Sequence, residues 1–275
     1  MKRLARLAVV AAIALALTAP LHAVAIGSAD DPSVAWPGLN WNYVYSWSNG
    51  SAVAVGDYWL LTAAHVDTEV GSTTLTIGAQ TYTALEVICA PPEPGHTEPV
   101  DLALVRVDKP LPGHYAILDG EALGSPVVLI GYGQTGVDYG SYYTLTPGSD
   151  AKRWGAALTD AAACDLLDED EEYFSACLRM VYNGELSISG LGFGDSGGGA
   201  FIFEDGQWKL AGIHCAIGNS DPGAPDDQYN LSYSVSLSEY RDWVQDAIAT
   251  PEPASLALLA AGLLALLRRR RNARL

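Results

Sequence analysis

Between residues 51 and 235 the chain is a run of short apolar segments, each closed by Gly, Pro or Asp. The segments are Ser51 to Val55, Tyr58 to Leu61, Leu75 to Ile77, Leu102 to Val107, Pro126 to Ile130, Ala200 to Phe203, Trp208 to Ile213 and Leu231 to Val235. β-Branched and aromatic residues bounded by turn formers predict strands. Many short strands with few intervening helices predict an all-β sandwich or barrels and exclude a parallel α/β sheet. Two helices are expected, one from about Thr159 to Leu167 and one over Ser238 to Ala249, with Ser238 as cap and Arg241 inside it. No repeat at solenoid or propeller period is visible.

Both ends of the 275-residue chain read as addresses rather than fold. Lys2, Arg3 and Arg6 precede the apolar run Leu7 to Leu17, and small residues follow at Ala23 and Ala25. A basic head, a short apolar middle and an A-x-A site predict a secretory signal peptide over residues 1–25, the substrate of a signal peptidase. At the other end, Thr250-Pro251-Glu252-Pro253 leads into the apolar run Leu256 to Leu267 and then Arg268 to Arg271.

Charge and cysteines narrow the function. The chain carries a net charge of −17, and the part between the two ends holds seven basic against 31 acidic side chains. A surface this negative repels phosphate backbones, so nucleic acid is excluded as a partner. The four cysteines, Cys89, Cys164, Cys177 and Cys215, have no C-x-x-C spacing, and neither a metal site nor a cofactor is expected. An exported protein meets oxidising conditions that favour a disulfide. Cys164 and Cys177 flank the acidic stretch Asp165 to Glu172 and are the natural pair, leaving Cys89 and Cys215 as free buried thiols.

Three segments carry chemistry when taken together. Leu61-Thr62-Ala63-Ala64-His65 follows one strand, Asp101 opens another, and Gly194-Asp195-Ser196-Gly197-Gly198 forms a glycine-rich loop. Singly, each is an ordinary solvated histidine, turn aspartate or flexible loop. Jointly, they supply a weak nucleophile, a base and an orienting acid. The same pentapeptide also fits the G-x-S-x-G nucleophile elbow, with Asp205 and His214 downstream. An elbow is followed by a helix, whereas Phe201-Ile202-Phe203 is strand chemistry, so that alternative is set aside.

In these blocks the sequence resembles the trypsin/chymotrypsin family of serine proteases over residues 26–250. The resemblance implies two packed antiparallel six-stranded β-barrels with a C-terminal helix. The first would span 26–121 and carry His65 and Asp101; the second would span 122–250 and carry Ser196 and the substrate pocket. Ile130 to Thr135 look like the block opening the second barrel, and Val235 to Tyr240 with Trp243 and Val244 like its closing strand and helix. By this resemblance His65 is general base, Asp101 its orienting acid, and Ser196 the nucleophile. The N–H groups of Gly194 and Ser196 then form the oxyanion hole, and an N-terminal Ile26 freed by cleavage after Ala25 inserts beside Asp195.

Several positions depart from the family. Val66 stands where many relatives have cysteine, Gly199 where proline is common, and only 36 residues separate His65 from Asp101. The usual S-W-G strand of the substrate site is replaced by His214-Cys215-Ala216-Ile217-Gly218. Gly190, six before the serine, offers no acid to hold Lys or Arg. Gly212-Ile213-His214 is similar to a run in glutamyl endopeptidases, so acidic and small aliphatic preferences both stand, with Gly190, His214 and Gly218 as candidate pocket residues.

The tail, 251–275, resembles the PEP-CTERM sorting signal of Gram-negative bacteria. That implies an exosortase-type enzyme as partner, transient anchoring in the inner membrane with the arginines inside, and delivery to the cell surface or matrix. The expected function is secreted serine endopeptidase acting on protein or peptide substrates. Two alternatives remain: a catalytically inactive protease fold that binds a surface or matrix component, and an ester-cleaving acyl hydrolase.

Overall fold

The computed structural model describes residues 25, 28–168, 172–183 and 189–249. The leader, Ile26 and the apolar tail lie outside the described residues. Among the described residues, no helix is long and apolar enough to cross a membrane.

The described residues form two large antiparallel sheets, a two-stranded hairpin and one long helix. The first sheet contains β1 (Val44–Trp47), β2 (Gly50–Gly56), β3 (Trp59–Thr62), β4 (Thr74–Ile77), β5 (Gln80–Cys89) and β6 (Ala103–Val107). Its order is β1-β2-β3-β6-β5-β4, and contact between β1 and β4 curls it onto itself. Ser51 to Val55 of β2 are buried on both faces, which explains a continuous run of small and branched apolar residues there. The β1–β2 turn is tight enough to hold Ser48 at φ 51°.

The second sheet is built from β7 (Pro126–Gly131), β10 (Arg153–Leu158), β11 (Cys164–Asp168), β12 (Tyr173–Val181), β13 (Gly199–Glu204), β14 (Gln207–Gly218) and β15 (Leu231–Ser236). A separate hairpin pairs β8 (Gly136–Asp138) with β9 (Tyr143–Leu145). The order is β10-β7-β13-β14-β15-β12-β11. A bridge between Thr159 and Met180 ties the end of β10 back to β12, with the Asp160 N–H donating to the Arg179 carbonyl at 2.8 Å. Leu129, Leu178, Met180, Ala200 and Ala211 pack inside this sheet at 0–2% exposure. Burial of each large side chain there stabilises the fold by about 1.5–3 kcal/mol.

Two expectations change. The helix anticipated over Thr159 to Leu167 is instead the bridge residue Thr159 and strand β11. Exposure alternates along β11, and its register with β12 runs from Cys164↔Cys177 to Asp168↔Tyr173. The partner strand overrides a local composition that reads as helical, and β11 becomes a seventh strand beside the six expected. The closing helix, α1, runs Leu237–Ala249, one residue earlier than the predicted start. Arg241 in it pairs with Asp119 at 2.5 Å.

Candidate active site

Strand register brings the first two functional side chains together. Thr62 ends β3 opposite Ala103 of β6, so His65, three residues beyond, and Asp101, two residues before, meet at the same sheet end. The His65 backbone N–H donates to Asp101 Oδ1 at 3.0 Å, and His65 Nδ1 lies 2.8 Å from Oδ2. Both carboxylate oxygens therefore face one histidine. Asp101 is only 6% exposed, and its own N–H donates to Ser175 Oγ of β12 at 3.0 Å. A buried acid held this way fixes the tautomer with the proton on Nδ1 and leaves Nε2 as the basic nitrogen.

Ser196 lies on the loop joining Gly192 to β13. Within the loop, the Asp195 N–H donates to the Gly192 carbonyl at 3.0 Å and the Gly198 N–H to the Asp195 carbonyl at 2.8 Å. His214 of β14 clamps it from behind: its carbonyl accepts from Gly197 at 2.8 Å and its N–H donates to Gly198 at 2.9 Å. Gly197 has φ +83°, and a Cβ there would lie 1.9 Å from the Ser51 carbonyl, so no other residue fits. His65, Phe193, Gly194, Ser196, Ala216 and Ile217 line one cleft. Among the described residues, no group accepts from the N–H of Gly194 or of Ser196.

Asp195, beside Ser196 in the same loop, is 1% exposed. Its Oδ1 accepts from the Gly133 N–H at 2.7 Å and its Oδ2 from the Gly192 N–H at 2.8 Å. Burial pushes its pKa up to about 7, against the lowering effect of those two bonds and of Arg153. A Cβ at Gly131 or Gly133 would come within 2.3–2.5 Å of its carboxylate, which accounts for the glycines of the Ile130-Gly131-Tyr132-Gly133 block. The expected partner, Ile26, lies outside the described residues. Ala25 is buried, and its N–H donates to the Gly190 carbonyl at 2.8 Å. Its carbonyl accepts from Thr135 Oγ1 at 3.2 Å and from the Gly136 N–H.

Gly190 has no space for a side chain. A Cβ there would sit 2.2 Å from the ring of Tyr143, whose hydroxyl donates to the Leu191 carbonyl at 2.7 Å. Tyr143 was not singled out from the sequence; a lone tyrosine in a hairpin carries no signal of its tertiary position. The terminal pocket candidate, Gly218, ends β14 and accepts from the Asn230 N–H at 2.9 Å.

His214 and the cysteines sit in surroundings that the sequence did not announce. The ring of His214 is fully buried, with Nδ1 2.9 Å from Ser234 Oγ, and packs on Gly198. Burial drives its pKa down to about 3, so it stays neutral and offers no cation to an acidic side chain. The four cysteines are unbridged. Cys164 and Cys177 are direct cross-strand partners around a hairpin rather than a helix, while Cys177 Sγ lies 3.8 Å from Cys215 Sγ. Cys89, expected to be buried, is exposed because it ends an edge-facing stretch of β5.

The fold and the sequence have known counterparts. Residues 249–271 match the PEP-CTERM protein-sorting motif. No curated protein sequence matches the chain. Among solved structures, it is similar to neuropsin, a serine protease expressed in the limbic system of mouse brain, at 16% identity and a TM-score of 0.51. That likeness covers 75% of this chain and 94% of neuropsin and concerns the fold. The trypsin family profile matches residues 35–244, and the chain belongs to the trypsin family.

Proposed function

We propose that the chain is an exported serine endopeptidase that cuts peptide bonds through an acyl-enzyme formed on Ser196. The observation that carries this reading is the paired grip of Asp101 on His65, at 3.0 and 2.8 Å, in a cleft shared with Ser196. His65 takes the Ser196 proton as the hydroxyl attacks the carbonyl, then returns it to the leaving amine. Asp101 stabilises the imidazolium formed in between. The Gly194 and Ser196 N–H groups receive the carbonyl oxygen as it becomes an oxyanion.

Leu191, Ala216 and Ile217 line the cleft beside the serine and favour a small aliphatic side chain before the cut. No acid at Gly190 holds Lys or Arg, and a neutral His214 gives no preference for Glu. The sorting motif supports export followed by exosortase processing at the surface of a Gram-negative cell, after signal peptidase has acted and the tail has anchored transiently in the inner membrane.

The proposed activation pair is Ile26 with Asp195: cleavage after Ala25 would free an Ile26 ammonium to serve the buried carboxylate. Such cleavage removes Ala25, whose backbone bonds Gly190, Thr135 and Gly136, whereas cleavage after Ala23 keeps those bonds and leaves a terminus two residues longer.

The test is labelling with a fluorophosphonate and digestion of a peptide library, with wild type and Ser196→Ala side by side. Ser196→Ala loses the label and about 10⁴-fold or more in peptide hydrolysis. Labelling with ester but no peptide cleavage would favour the acyl hydrolase. A wild type that takes no label would favour the inactive binding protein.

A further inference from the structure

Ser51 of the first sheet is bonded to the nucleophile loop on both sides of Asp195, and every polar group it has is engaged. Its N–H donates to the Ser196 carbonyl at 2.7 Å, and its hydroxyl donates to the Gly194 carbonyl at 3.0 Å. The same hydroxyl accepts from the Tyr132 N–H at 3.0 Å, which directs its hydrogen toward Gly194. Its carbonyl accepts from Thr62 Oγ1 at 2.7 Å, three residues before His65. The residue is 0% exposed, so water does not substitute for a lost bond.

We infer that Ser51 is a positioning residue for the oxyanion hole, acting through the backbone of Gly194 and Ser196. This rests on the proposed hydrolytic reading. Ser51 fixes the peptides that follow Gly194 and Ser196 through their carbonyls. The peptides that carry their N–H groups are held by Gln134 donating to the Phe193 carbonyl and Gly198 donating to the Asp195 carbonyl, each at 2.8 Å, so Ser51 sets the backbone on which both N–H groups are aimed. Gly194 most needs such restraint, because at φ +92° it has the backbone freedom of glycine and no side chain to lock it. The chain of contacts from Thr62 through Ser51 to Gly194 also sets the serine loop relative to the strand that delivers His65. A hole pre-set in this way stabilises charge as it develops without reorganising at the moment of reaction.

The test compares Ser51→Ala with wild type, using rates normalised to titrated active sites so that folding yield does not enter. Direct removal of an oxyanion donor costs about 10²–10³-fold in kcat, and loss of its support should cost about 10–100-fold, with KM within twofold of wild type. Affinity for a peptide boronate, which presents a tetrahedral oxyanion mimic, should fall by the same factor as kcat, while affinity for the product peptide is unchanged. Ser51→Cys fills the site with a weak donor and should fall between the two. It carries the test alone if Ser51→Ala does not accumulate. Equal kcat and boronate affinity in the variants, with an active wild type, would overturn the role of Ser51 and leave the triad standing. A parallel rise in KM and product dissociation would likewise overturn it, marking Ser51 as structural only. An inactive wild type would instead defeat the hydrolytic reading.

Discussion

Replacing Asp195 by Asn separates two ways of keeping a buried carboxylate, and the structure sets the size of the difference. A carboxyl that releases its proton at about 7 instead of 3.8 holds its charge at a cost of about 4 kcal/mol above pH 7. Asn removes that cost but turns an amide N–H₂ toward the Gly192 N–H, now 2.8 Å from an acceptor oxygen. Leaving that donor without an acceptor costs about 1–3 kcal/mol. In a protein extended by two residues before Ile26, Asp195→Asn should therefore be neutral or stabilising by about 1–3 kcal/mol at pH 8. In a protein beginning at Ile26, an inserted ammonium would compensate the carboxylate, and breaking that buried pair should destabilise by about 3–5 kcal/mol. The pH dependence gives a second check. In the extended form the folded pKa lies above the unfolded value, so the contribution of Asp195 is full below pH 3.8 and is lost as pH rises through about 7. The Asn variant should lack that decline. Urea unfolding of the four proteins between pH 4 and 8 measures both effects. Equal cost of Asp195→Asn in the two forms at pH 8 would refute the Ile26 pairing. A large cost in the extended form would refute the premise that burial without a cation dominates at Asp195.

Gly190→Asp, the obvious attempt at Lys and Arg specificity, should destabilise by about 3 kcal/mol or more, because its Cβ would sit 2.2 Å from Tyr143; thermal unfolding checks this. Peptide-library profiles should show small aliphatic residues before the cut, and acceptance of Glu should not rise between pH 8 and 5, because His214 with a pKa near 3 stays neutral throughout; a rise would restore His214 as an acid-binding group. Mass mapping of an unreduced digest of the exported protein should find Cys164 joined to Cys177, cross-strand partners on β11 and β12, whereas a link between Cys177 and Cys215, whose Sγ atoms lie 3.8 Å apart, would overturn that pairing.

Much of the fold was legible because short apolar strands punctuated by turn formers have few alternatives. The segments around Val53, Leu60, Leu104, Leu129 and Leu210 are all buried strands in the structure. Strands β5 and β12 escaped notice because they mix polar and apolar residues along faces whose burial depends on their partners. Only half of Tyr82, Thr83, Ala84 and Leu85 face the core, and nothing in that stretch announces it. The error over Cys164 to Leu167 has the same origin: Leu166 and Leu167 adjacent to acids suit a helix until β12 supplies a ladder.

Within the site, legibility follows chemical replaceability. No other residue types do the work expected of His65, Asp101 and Ser196, so their identities show through an otherwise diverged sequence. The residues that hold them are constrained by contact, and contact leaves little mark on residue type. Ser51 reads as one more small residue of a buried strand, yet three of its bonds reach the nucleophile loop and the end of β7. Gly131 and Gly133 read as turn glycines, yet they are empty because Asp195 fills the space above them. His214 shows the converse hazard. Its position in the substrate strand suggested a charge that its burial opposes, and its backbone clamps Gly197 and Gly198 behind the serine. A residue's type thus tells what it could do in water, and only its neighbours decide whether it does so in the protein.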